Sequence, residues 1–155
     1  MPAELRARDR WVRHDRAKRP LTVTGAPASS TNPSTWTTYA KAKASTAGVG
    51  LGTVLDGDGV VVLDLDGCIV GGKLTSAAAR LVALAGSTYV EISPSGHGLH
   101  IFGRSDVFTG GRRLPGVEVY ATGRYVTVTG RRWSGSPPVL GDVSRAIDAV
   151  LSGRG

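Results

Sequence analysis

The sequence predicts an α+β protein built on antiparallel sheets. Three observations lead there. Short β-branched runs come in adjacent pairs, 49–55 with 60–65, 88–92 with 99–102, and 117–120 with 125–128, and each pair is joined by Gly-bearing turn residues rather than a helix. Only three segments, 34–46, 75–85 and 143–151, carry apolar residues at helical spacing. A chain of 155 residues is large enough to bury one core without a disulfide or a structural metal. The element order βαββαββββα groups strands with strands, the α+β pattern.

Each element has local grounds. Trp11 and Val12 open a first strand, residues 16–19 turn it and 20–23 return. Residues 25–34 are rich in Pro, Ser, Thr, Asn and Ala without periodicity, which predicts a loop. Asn32 or Ser34 caps the following helix, with Pro33 near its start and Trp36 and Tyr39 facing inward. The Asp56-Gly57-Asp58-Gly59 string between two apolar runs predicts a hairpin. Leu81, Val82 and Leu84 give the helix at 75–85 its apolar face, and residues 121–123 turn the third strand pair. Residues 130–138 form a loop, and Asp142 caps a closing helix. No repeat or long linker divides the chain, so a single domain is expected over 1–155. Its motif-bearing core covers about 10–130 and its short C-terminal helix 142–151.

Charge narrows the partners. Nineteen basic residues, fifteen of them Arg, face twelve acidic ones, for a net charge of +7. That balance points to a polyanion: nucleic acid, a nucleotide phosphate or an anionic surface. Apolar runs fall far short of the ~20 residues that span a bilayer, and no signal-peptide pattern opens the chain. Membrane insertion is not expected, and a cytoplasmic location is. The lone Cys68 excludes an internal disulfide framework and a Cys-based zinc finger.

Three strings carry candidate chemistry. Asp64 and Asp66 end the apolar run at 60–65, two apart, so a strand points both carboxylates to one face. Like charges placed together favour a divalent cation, and Mg²⁺ or Mn²⁺ takes two carboxylates plus phosphate oxygens. Asp56 and Asp58 share that spacing but sit within a turn, which accounts for them without a metal. The second string is Glu91-Ile92-Ser93-Pro94-Ser95-Gly96-His97-Gly98-Leu99-His100-Ile101. Its glycines leave backbone N–H groups free for an anion, Ser95 offers a hydroxyl, and His100 lies on the returning strand. In the third string Glu118 is a lone acid between Val117 and Val119, and Arg124 follows a turn glycine, where its fork can meet a carboxylate or phosphate. Arg104, Arg112 and Arg113 lie between the second and third strings, as a nucleic-acid groove or a solvated loop. The Gly67-to-Lys73 segment has P-loop spacing, but Leu74 stands where Ser or Thr would hold Mg²⁺.

Taken together, the three strings resemble the archaeo-eukaryotic primase superfamily, and within it the primase-polymerase domain at the N-terminus of phage and plasmid replication proteins. Asp64-Leu65-Asp66 resembles its DxD motif, Gly98-Leu99-His100 its small-x-His motif, and Val117-Glu118 its hydrophobic-plus-acid motif. The strings at 95–100 and 123–130 and the upstream 28–36 segment are similar too. The resemblance implies an N-terminal α/β module packed on an RRM-like antiparallel sheet, with the active site between them. It implies that Asp64, Asp66 and Glu118 hold two catalytic metals, Mg²⁺ or Mn²⁺, and that Ser95, Gly96, His100 and Arg124 bind the dNTP or NTP. Single-stranded template and primer are then the partners, with a helicase module outside this sequence. Glu118 departs from the family, where many members carry Asp.

The implied activity is metal-dependent, template-directed nucleotidyl transfer for primer synthesis and extension. Such chemistry needs positioning and charge neutralisation, and no nucleophilic side chain. Two other readings share an RRM-like sheet. A single-strand-binding module needs exposed aromatics for stacking, and only nine aromatics exist, most at apolar positions. A rolling-circle nickase needs two His on one face and a free Tyr. His97 and His100, three apart, face opposite ways on a strand, and Tyr120 and Tyr125 are packing positions.

Overall fold

A computed structural model describes residues 1–153. In chain order the elements are helix α1 (Ala3–Arg6), strands β1 (Trp11–His14) and β2 (Pro20–Leu21), helix α2 (Tyr39–Ala44), strands β3 (Gly50–Asp56), β4 (Val60–Leu65), β5 (Ile69–Val70) and β6 (Lys73–Leu74), helix α3 (Ser76–Ala85), strands β7 (Val90–Ile92), β8 (Leu99–Arg104), β9 (Gly111–Leu114), β10 (Val117–Tyr120), β11 (Thr122–Val128) and β12 (Gly141–Asp142), and helix α4 (Ser144–Leu151). The strands form a four-stranded sheet, β11-β3-β1-β2, and a larger one, β12-β8-β4-β10-β9, with β7 also paired to β8. Pairing is antiparallel apart from the two-residue β12–β8 contact, and β5 and β6 form a separate hairpin.

Two apolar clusters build three layers. One face of the larger sheet presents Val61, Leu63, Leu65, Leu99, Ile101 and Val119 to α3 and α4, which contribute Ala78, Leu81, Ala146, Ile147 and Val150. The other face presents Val60, Val62, Phe102 and Tyr120 to Trp11, Leu55, Val126 and Val128 of the smaller sheet. Period-two alternation along β4 and β8 supplies both faces from the same strands. Each fully buried Val, Leu or Ile stabilises the fold by about 1.5–3 kcal/mol.

Four expectations need correction. The runs at 49–55 and 60–65 do not form a hairpin: β3 pairs β1 and β11, and β4 pairs β8 and β10. A two-residue type I′ turn requires positive φ at consecutive residues. Here Gly57 (+89°) and Gly59 (+98°) flank Asp58, which is not in that region, and Arg8 and Arg10 hold Asp56 and Asp58 as the chain crosses between sheets. Residues 121–123 likewise carry the chain from the larger sheet back to the smaller one, so β10 and β11 are not partners. The smaller sheet is therefore not purely N-terminal, since β11 completes it. Third, the helix expected over 34–46 is shorter. Thr37 takes an extended conformation and exchanges two 2.9 Å backbone hydrogen bonds with Trp11, leaving a 3₁₀ turn at Pro33–Thr35 and α2 capped by Thr38. Trp36 and Tyr39 are only half-buried. Fourth, the expected loop holding Arg112 and Arg113 contains β9, and Arg104 ends β8. Thr75, read as the first residue of its helix, is instead the cap of α3, its hydroxyl accepting from the Ala78 N–H at 3.3 Å. Asp142, expected to cap the closing helix, lies one residue before the cap position, which Val143 occupies, and its carboxylate accepts from the Ser144 N–H at 2.9 Å.

Candidate active site

On the inner face of the larger sheet every central strand changes character at the same level. The row Tyr120–Val62–Phe102 is apolar. Two residues along, the row becomes Glu118–Asp64–His100–Glu91, running across β10, β4, β8 and β7 in direct register. The apolar row is buried under the smaller sheet, and the ionisable row opens into a cleft of about 260 Å³. Asp64, Asp66, Ser95, His100, Glu118 and Arg124 all line that cleft, together with Lys18 and Ser93. Six residues singled out from three separate strings are thus neighbours in space.

Asp64 is the electrostatic centre. Burial pushes its carboxyl above the usual carboxylate range, and the charges of Asp66 and Glu118 push the same way, while His100 and Lys18 oppose them. His100 Nε2 lies 3.5 Å from Asp64 Oδ1. Asp66, one residue past the end of β4, is exposed, and its N–H donates to the Gly116 carbonyl at 3.0 Å. Glu118 is held from two sides: Arg113 Nε donates to Oε1 at 2.9 Å, and the Tyr120 hydroxyl donates to Oε2 at 2.6 Å. Arg124 donates to that same hydroxyl at 2.6 Å and stacks on the Tyr120 ring, 4.3 Å from its centroid. Among the described residues, no three His, Cys, Asp or Glu side chains are gathered tightly enough to ligate a metal alone. The carboxylates form an open set of oxygens rather than a closed cage.

The Ser93–Gly98 turn is pinned beside Asp64. Ser93 Oγ accepts from the Gly98 N–H, Ser95 Oγ accepts from the His97 N–H, and the two hydroxyls are 3.1 Å apart. Gly98 is required by close approach: a Cβ there would lie 2.4 Å from the Leu65 carbonyl oxygen. Gly96 occupies the turn with φ +82°, and His97 is exposed. His100 is buried apart from its edge on the cleft.

Sequence reasoning missed Glu91 and Lys18. Glu91 is fully buried, accepts from the N–H groups of Thr129 (2.9 Å) and Gly130 (3.0 Å) and from the Tyr89 hydroxyl (2.9 Å), and lies 3.4 Å from His100 Nδ1. Its signal was present, a lone acid between Val90 and Ile92, as with Glu118 between valines. Lys18 gave no local signal within a basic run. The basic trio does not act together. Arg113 reaches Glu118 at the cleft rim, Arg112 is the next residue on β9 and projects to the opposite face, and Arg104 pairs with Glu4 at the far end of β8.

The fold and this cleft define a mixed α/β domain with a site lined by acidic, basic and hydroxyl side chains between two sheets. The chain belongs to the bifunctional DNA primase/polymerase N-terminal family, whose model matches residues 4–142. It is similar to a DNA primase-polymerase of Nitratiruptor phage NrS-1, with 36% identity over 125 residues, 72% of this chain and 17% of the relative. The chain thus spans about a sixth of the length of that curated relative. Among the described residues no helix is long and apolar enough to cross a membrane.

Proposed function

We propose that this cleft performs template-directed nucleotidyl transfer, making and extending DNA primers on a single-stranded template. The supporting observation is the Glu118–Asp64–His100 row, which sets carboxylates and a basic ring side by side in one cleft of a primase/polymerase-family chain. Asp64, Asp66 and Glu118 suit Mg²⁺ or Mn²⁺, because they offer only hard oxygen donors and their mutual repulsion penalises the metal-free site. A pair of such ions would supply Lewis-acid stabilisation of the attacking and leaving oxygens. The chain's own residues do the rest. Ser95, Gly96 and His100 receive the nucleotide triphosphate, and Arg124, held against Tyr120, fixes one wall of the site. His100 is buried and Asp64 only partly exposed, so water screens this part of the cleft less than open solvent would. Deoxynucleotides or ribonucleotides are the substrates, and a helicase module outside this chain is a partner in replication.

The test is incorporation of a labelled dNTP on a single-stranded template with Mn²⁺ or Mg²⁺, beside Asp64→Asn. Template-dependent extension by the native protein and none by the variant is the expected result. Strand binding without incorporation would favour a binding module, and a nicked product covalently attached to Tyr120 or Tyr125 would favour a nickase. The hydroxyl of Tyr120 is already engaged by Glu118 and Arg124, which disfavours the latter.

A further inference from the structure

Lys18 sits in the turn between β1 and β2 and has φ +61°, the only non-glycine residue with positive φ among those described. A long side chain is disfavoured there, and Asn or Gly is the usual occupant. The surroundings enforce the conformation. The Asp15 carboxylate accepts from the N–H groups of Ala17 and Arg19, both at 2.9 Å, and from Arg19 Nε at 2.8 Å. The Lys18 N–H donates to the Asp15 carbonyl at 3.0 Å, and the Tyr125 hydroxyl donates to the Lys18 carbonyl. Tyr125 reaches that carbonyl because its ring lies over Gly52, where a Cβ would come within 2.6 Å of the ring. Three elements of the smaller sheet therefore hold one strained residue in place.

The strain has a direction. Lys18 lines the cleft with Asp64, Asp66, Ser95 and His100, which come from the larger sheet, and it is exposed. The other cations at the site are committed: Arg113 to Glu118, Arg124 to Tyr120. Among the described residues Lys18 has no acidic side chain as a salt-bridge partner. Strained residues persist where the surrounding structure over-determines them, and they collect at ligand sites.

We propose that Lys18 is a phosphate-binding residue that delivers an ammonium from the smaller sheet onto the triphosphate of the incoming nucleotide, facing Ser95 and His100 across the cleft. This rests on the nucleotide site proposed above. A compact ammonium on a flexible stem suits a triphosphate as a point charge that follows it through the reaction. The source of the phosphate, triphosphate or strand backbone, is separated by the experiment.

The test uses Lys18→Asn, which removes the charge yet suits positive φ, and Lys18→Arg, which keeps the charge on the same turn. Binding of dATP, of inorganic tripolyphosphate and of a single-stranded oligonucleotide is measured by calorimetry, and melting temperature in parallel. Lys18→Asn is expected to melt at or above the native temperature while losing roughly tenfold in affinity for dATP and tripolyphosphate. Oligonucleotide affinity should hold, and Lys18→Arg should stay within about threefold of native for all three ligands. Unchanged affinity for dATP and tripolyphosphate in Lys18→Asn would overturn the proposal and leave a turn residue. A loss confined to the oligonucleotide would overturn it too, assigning Lys18 to the strand. If the native protein binds neither dATP nor tripolyphosphate, the nucleotide site itself fails, and Lys18 with it.

Discussion

Asp64 and His100 stand directly opposite each other on antiparallel neighbours β4 and β8, with His100 Nε2 3.5 Å from Asp64 Oδ1. Strand register fixes this juxtaposition, because slipping β8 by one residue would carry His100 to the helix-covered face. The two groups that would serve metal and phosphate are therefore held at a constant spacing by backbone hydrogen bonds rather than by loops. A rigid scaffold of this kind lets a site preserve its geometry while substrate and product exchange.

Replacing Asp64 tests both chemistry and electrostatics. Asp64→Asn should abolish nucleotide incorporation. It should also stabilise the fold at neutral pH, because the carboxyl is raised above the ordinary carboxylate value of 3.8, first by burial and then by Asp66 and Glu118. A raised acid binds its proton more tightly when folded than when unfolded, so stability falls as pH climbs through the window above 3.8 and stays lower beyond it. The Asn variant lacks that loss. Its melting temperature should exceed the native one at pH 7, by about 2–4 °C per kcal/mol for a domain of this size, and the two should converge below pH 3.8. Melts across that pH range give the answer, and an unstabilised variant at pH 7 would place Asp64 in a better-solvated site.

Glu91 carries structure as well as position. Its two oxygens accept from Thr129, Gly130 and Tyr89 while fully buried. Glu91→Leu strands three donors and should cost about 3–5 kcal/mol, read as a fall of order 10 °C in melting temperature. Glu91→Gln keeps one acceptor oxygen and should fall less. Equal melts for both variants would mean that the hydrogen bonds Glu91→Gln can keep do not set the cost.

The strands and the three acid- or His-bearing strings were legible because period-two alternation survives in a short window. Glu118 alternates with Val117 and Val119, His100 with Leu99 and Ile101, and Asp64 breaks an otherwise apolar run, all without any knowledge of neighbouring strands. Strand partnership was not legible. The Asp-Gly signal at 56–59 has the residues of a hairpin, yet the chain crosses between sheets there, with Asp56 and Asp58 paired to Arg8 and Arg10, almost fifty residues earlier. Lys18 could not be read either, since its place in the cleft depends on Tyr125 from the far end of the chain. Glu91 differs: it opens the second string as a lone acid between apolar residues, as Glu118 does, but its role depends on Thr129 and Gly130, almost forty residues later, whose N–H groups it accepts from.

Strand binding should discriminate among the arginines. Arg113 borders the cleft beside Glu118, whereas Arg104 is paired with Glu4 at the opposite end of β8. If the template follows the cleft, Arg113→Ala lowers the salt slope of single-strand binding by about 0.7, the share of one phosphate contact. Arg104→Ala should leave the slope unchanged. Affinity measured over a range of salt concentrations separates them, and equal losses would mean that the +7 net charge acts diffusely.

Glu118 presents the finest test of the carboxylate set. It faces Asp64 across β10 and β4, on the same side of the sheet, yet Arg113 and Tyr120 already occupy its two oxygens. Metal binding would therefore compete with an exposed Arg for Oε1, and an ion pair exposed on one side is worth only about 0–1 kcal/mol. A divalent cation overcomes that readily. Glu118→Gln removes the charge and should lose most of the incorporation, the remainder needing a higher Mn²⁺ concentration for half-maximal activity than native. Glu118→Asp keeps the charge one methylene short and should retain part of the activity. Arg113→Ala frees Oε1, so the Mn²⁺ concentration for half-maximal activity should fall. An unchanged Mn²⁺ requirement in both Arg113→Ala and Glu118→Gln would remove Glu118 from the metal site and leave Asp64 and Asp66 as its only carboxylates.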